Sequence, residues 1–78
     1  MPPSITTLLA VKIAEAEAGI DYSRRWGGRC PCCGVTAKIV RTRPWEGEVR
    51  IRYHRCHNPG CLLASSKTTI KSVEVEQG

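Results

Sequence analysis

Two cysteine pairs constrain this chain more than anything else in it: Cys30-Pro31-Cys32-Cys33-Gly34 and Cys56-His57-Asn58-Pro59-Gly60-Cys61. Read as Cys30-x-x-Cys33 and Cys56-x4-Cys61 with 22 residues between the pairs, they offer four thiolates on two tight turns. Zn2+ takes four such ligands tetrahedrally at about 2.3 Å, and a pair two to four residues apart can be presented by one turn. The turns carry matching backbone chemistry. Pro31 presets one φ angle, Gly34 permits the positive φ wanted just after a second ligand, and Asn58-Pro59-Gly60 is turn-forming. The reading is one structural zinc ion held by Cys30, Cys33, Cys56 and Cys61, in a closed site that builds structure and does not catalyse.

The competing uses of cysteine fit less well. A disulfide framework prefers an even count, whereas this chain has five cysteines, and no secretory signal peptide is discernible. A redox Cys-x-x-Cys wants a βαβ context, and a c-type haem wants Cys-x-x-Cys-His where Gly34 stands. Cys32 is cramped against Cys30 as a ligand pair and is read as a spare thiol. His54 and His57, which flank Cys56, are read as polar surface residues. Free thiols beside zinc imply a reducing cytoplasm, and no run of apolar residues is long enough to span a membrane.

Seventy-eight residues make one small domain, which buries only about 60–65% of its unfolded surface, so a metal staple is expected. The chain is expected to divide into an N-terminal helix and basic linker over 1–29, a zinc ribbon over 30–75 and a fraying tail over 76–78. Met1-Pro2-Pro3 cannot start a helix, but Ser4 can cap one, and helix formers run from Ile5 to Ala18 before Gly19. Ile5, Leu8, Leu9, Ile13 and Ala16 recur at helical spacing, giving a face that packs on the ribbon or docks a protein partner. Trp26, in the Asp21–Arg29 linker, is expected to pack against the metal site.

Strands are expected at Val35–Arg43, Val49–His54 and Thr68–Val75, with a turn at Pro44-Trp45-Glu46-Gly47. Leu62 and Leu63 are expected to fill core next to the zinc. The fold class is therefore a small metal-stabilised α+β protein: a zinc ribbon of about three antiparallel strands with one N-terminal helix. In the second strand Val49, Ile51 and Tyr53 alternate with Arg50, Arg52 and His54. The apolar set is expected to face the core and the arginine set to face solvent.

Charge points toward function. Arg24 to Arg55 holds nine basic residues against Glu46 and Glu48, a local net charge of +7 in a chain of +5. No nucleophile–base pair, carboxylate pair or phosphate loop is discernible, so an enzyme is not expected. Clustered guanidiniums make most sense facing phosphates, where each neutralised phosphate releases a counterion. Lys38, Arg41, Arg43, Arg50, Arg52 and Arg55 are the expected nucleic-acid contacts, with duplex DNA favoured over RNA.

Cys30-Pro31-x-Cys33-Gly34, Ala37-Lys38-Ile39-Val40-Arg41-Thr42-Arg43 and Arg52-Tyr53-His54-Arg55-Cys56-x-Asn58-x-x-Cys61 together resemble the zinc finger of the Ogr/Delta family, over roughly Arg29 to Val73. The resemblance implies a phage or prophage activator of late-gene transcription that binds DNA and engages host RNA polymerase. It also implies zinc ligation by Cys30, Cys33, Cys56 and Cys61, with Tyr53 and Asn58 structural around the second knuckle. Family members place the finger at the extreme N-terminus and an aromatic soon after the last cysteine; here 29 residues precede Cys30, and Leu62, Leu63 and Ala64 follow Cys61. The nucleotide-reductase repressors share the Cys-Pro-x-Cys-Gly knuckle and an Arg-rich strand, but with a nucleotide-binding domain that this sequence does not contain. Two other functions remain open: an RNA-binding translational regulator of the phage Com type, and a protein-only adaptor docking through helix 5–18.

Overall fold

The computed structural model describes residues 4–76. Met1–Pro3, the last two residues of the expected tail and the side chain of Ile5 lie outside the described residues. Within that tail the Glu76 N–H donates to the Glu48 carbonyl at 2.8 Å. Helix α1 spans Ile5–Ala18. Ser4 caps it by accepting from the Thr7 N–H, and Gly19 ends it at φ 108°, a backbone conformation that side chains resist. Ala16 is fully buried and Leu9 and Ile13 pack beside it, one stripe at i, i+4 and i+7. The helix therefore packs on the ribbon, while Leu8 (40% exposed) and Val11 (50%) stay in solvent.

Four strands follow: β1 (Ile20–Asp21), β2 (Lys38–Thr42), β3 (Val49–Arg55) and β4 (Thr69–Val75), with a one-turn helix α2 (Leu62–Ser65) before the last. The sheet order is β1-β4-β3-β2, with β1 parallel to β4 and the other two pairs antiparallel. The three expected strands are present, the first of them shortened from Val35–Arg43 to Lys38–Thr42. The two-residue β1 and the short α2 are additions that local pattern does not show. Leu63, on α2, is fully buried with Ile70 beside the cysteines, as expected of it, whereas Leu62 is only half-buried and lies outside that cluster.

Register assigns every strand residue to a face, because directly paired residues point the same way. One face carries Arg50, Arg52 and His54 against Glu74, Ser72 and Ile70. The other carries Val49, Ile51, Tyr53 and Arg55 against Val75, Val73, Lys71 and Thr69. The alternation expected in β3 is real, and α1 lies beside the Tyr53 face as expected, but the Arg52–His54 face, expected in solvent, is the more deeply covered of the two. His54 and Ser72 are fully buried, and the Arg52 side chain is only 12% exposed.

Partners distant in sequence explain that burial. The segment from Tyr22 to Gly28 crosses the Arg52–His54 face. Arg52 donates to the Glu74 carboxylate and stacks 4.0 Å from the centre of the Tyr22 ring. Arg24 bonds the same carboxylate at 3.0 Å. These guanidiniums, which attract the charged carboxylate and outweigh the effect of its burial, hold the Glu74 carboxyl below its usual range. The His54 ring touches the Ala37 carbonyl through Nδ1 (3.2 Å) and the Ser72 hydroxyl through Nε2 (2.7 Å). A carbonyl can only accept, so Nδ1 bears the proton and Nε2 accepts from Ser72. Burial, assisted by the Arg52 charge and opposed by the Ala37 carbonyl, pushes the His54 pKa below its ordinary value.

Candidate metal centre and basic sheet face

The first knuckle closes through the Gly34 N–H donating to the Cys30 carbonyl and the Cys30 N–H to the Val35 carbonyl, both 2.9 Å. Gly34 takes φ 78°. In the second, Gly60 takes φ 84° and the Cys61 N–H donates to the Asn58 carbonyl. The turns bring the Sγ atoms of Cys30, Cys33, Cys56 and Cys61 within 4.8 Å of one another. The Cys30–Cys61 and Cys33–Cys56 separations are both 3.6 Å. A tetrahedron with 2.3 Å zinc–sulfur bonds has edges of about 3.8 Å, whereas a disulfide needs about 2.05 Å. The donor set therefore fits zinc, and all five cysteines are free.

Proton affinities across the cluster split as four crowded thiols must. Burial pushes the Cys30 thiol up to about 12 and raises Cys56 as well. Burial also acts against Cys33, but hydrogen bonds led by the Val35 backbone and the Asn58 side chain outweigh it and bring that thiol down to about 6. Cys61 is lowered likewise, chiefly by the Ala64 backbone against the effect of burial. Without a cation the site cannot hold four thiolates; a divalent metal removes that conflict and displaces the protons. Cys32 is half-buried at the knuckle and stands apart from the four-sulfur cluster.

A closed four-cysteine site pinching one end of a small sheet defines a zinc ribbon with one structural zinc ion. The Ogr/Delta-like zinc finger model matches residues 29–70, and the chain belongs to that family, which is known for phage transcription-related roles. No curated protein and no solved structure matches the chain.

The basic residues sort onto faces in a way the sequence did not indicate. A bulge between Ile39 and Arg41 leaves Val40 unpaired, so Lys38 sits opposite Arg55 and Arg41 opposite Tyr53. Without it Lys38 and Arg41 would point to opposite sides. The Arg43 N–H continues the ladder by donating to the Ile51 carbonyl. Three rungs result on the face away from His54: Lys38–Arg55–Thr69, Arg41–Tyr53–Lys71 and Arg43–Ile51–Val73. Lys38, Arg41 and Arg43 are exposed, and Arg55 and Lys71 are half-buried.

Arg52 is not on this face, being covered and paired with Glu74. Arg50 is also on the other side, where its Nε donates to the Arg43 carbonyl and its guanidinium lies 5.6 Å from the centre of the Trp45 ring. Lys71 and the central Tyr53 join the cluster although neither was among the expected contacts. Only the register of β4 against β3 reveals them. Trp26 does not pack on the metal site: it is 53% exposed, with the guanidiniums of Arg25 and Arg29 at 4.9 and 5.1 Å. His54 is no surface residue either, whereas His57 is exposed as expected.

Proposed function

We propose that this protein is a DNA-binding transcription regulator that grips duplex phosphates with the face bearing Lys38, Arg41, Arg43, Arg55 and Lys71. The observation that carries the reading is the bulged register, which gathers five cations from three strands onto one sheet face. Guanidinium and ammonium groups so arranged repel one another in the free protein, and that repulsion is relieved when phosphates lie across them. Acidic groups stand at the margins: Glu46 pairs with Arg43 at 3.9 Å, and Asp21 lies at the β1 edge. Family membership supports a place in transcription, and the role is one of binding, with the zinc holding the sheet rigid.

Binding of labelled duplex DNA, followed by anisotropy across salt concentration, tests this. Four to five neutralised phosphates give a slope of log affinity against log salt of roughly −4. Arg41→Glu and Lys71→Glu should each weaken binding at least about tenfold, while Arg24→Ala, on the opposite side, leaves it unchanged. A shallow slope, or a loss from Arg24→Ala as large as from Arg41→Glu, contradicts the reading.

A further inference from the structure

The basic face is not flat. At its β4 side α1 stands over the sheet, and between them lies an open cleft of about 660 Å³. Ile13 and Glu17 form the helix wall, Tyr53 and Lys71 the floor, and Ser66 and Thr69 the end. Its size is that of clefts that hold small ligands. We propose that this cleft takes one unpaired nucleobase, with its face on the Tyr53 ring and the flanking phosphates on Lys71 and Arg55. The inference rests on the nucleic-acid reading above and adds to the duplex-gripping face a subsite for an unpaired base.

Three observations lead there. The aromatic sits at the centre of the cationic rungs, directly between Arg41 and Lys71, so a strand neutralised by those rungs passes over the ring. Bases within an undistorted duplex offer only their edges, because both faces are stacked; a side-chain ring at the floor of a cleft meets a base face most readily when the base is unpaired. The wall also carries an exposed carboxylate, Glu17, which repels phosphate but accepts from an exocyclic amine. Cytosine, adenine and guanine bear such an amine, and thymine and uracil do not. The cleft therefore selects amine-bearing bases.

Anisotropy titrations of the zinc-loaded full chain with oligo-dC, oligo-dT, oligo-rC and a blunt duplex, each about 12 nucleotides long, decide the matter. Oligo-dC should bind about tenfold tighter than oligo-dT, with oligo-rC showing whether the sugar matters. Tyr53→Leu should cost the single strands about tenfold and spare the blunt duplex. Glu17→Gln, on the exposed helix surface, should erase the preference for dC over dT without unfolding the protein. Equal affinity of the wild type for oligo-dC and oligo-dT overturns the inference. So does a Tyr53→Leu variant that retains zinc and binds single strands normally. If those results come with strong, Arg41-dependent duplex binding, the basic face stands and only the cleft reading falls. If neither polymer binds at low salt, the parent reading falls as well.

Discussion

His54 shows how one residue can be misread from its neighbours and still reveal the logic of the fold. It alternates with arginines and borders a zinc ligand, which made it a surface residue by pattern. Its two ring nitrogens are instead both satisfied, by Ala37 and Ser72, in a fully buried position. The consequence for stability has a definite sign. The folded pKa lies below the ordinary 6.5, so between the two values the unfolded chain binds the extra proton. The His54 contribution is thus complete above about pH 6.5 and is lost as pH falls toward the folded value. Glu74, also lowered, adds stability above its ordinary 4.5 that is lost at still lower pH. Denaturant titrations of the zinc-loaded protein should show stability falling below about pH 6.5 at up to about 1.4 kcal/mol per pH unit. A flat profile between about pH 7 and pH 5.5 would contradict a buried neutral His54.

Among the elements, the strap from Tyr22 to Gly28 decides which sheet face is more deeply covered. Gly28 is the point of closest approach: a Cβ there would lie 2.7 Å from Cε1 and 2.8 Å from Nε2 of His54. Because that ring is buried and held at both nitrogens, it cannot step aside. Gly28→Ala should therefore cost about 2 kcal/mol in denaturant unfolding, with the zinc ligands untouched. An unchanged midpoint would mean the strap does not seat as described. The existence of α1 and of β2 to β4 was legible, because caps, periodicity and β-branched runs are local signals. The more deeply covered side of the sheet was not, since burying Arg52 depends on Glu74, 22 residues away, and on Tyr22. The bulge at Val40 was equally hidden: nothing in Lys38–Thr42 marks the slip that unites Lys38 with Arg41. The four zinc ligands were readable because turn spacing alone brings each pair together.

For the molecule as a whole, zinc and the apolar core are one structure. Cys30, Cys56 and Cys61 are buried with Ala16, Leu63 and Ile70, so the metal site forms one wall of the only core cluster among the described residues. None of the helices described is long and apolar enough to cross a membrane. Structural zinc contributes on the order of 10–16 kcal/mol of apparent binding energy in peptides of this kind, comparable to the whole stability of a typical domain. Stripping the metal with a chelator should therefore collapse amide dispersion across the sheet and α1 together, and one equivalent of zinc should restore it. A chain that keeps its dispersed spectrum without metal would show that the core suffices alone.

On the proposed function, the face defined by the bulged register meets nucleic acid, and the Arg50–Arg52 face does not. Amide and side-chain NMR of the zinc-loaded protein, titrated with duplex DNA at low salt, tests it most directly. Shifts should concentrate at Lys38, Arg41, Tyr53, Arg55 and Lys71, with Arg24, Arg52 and His54 still. Shifts centred on Arg24, Arg50 and Trp45, or none at all, would contradict it.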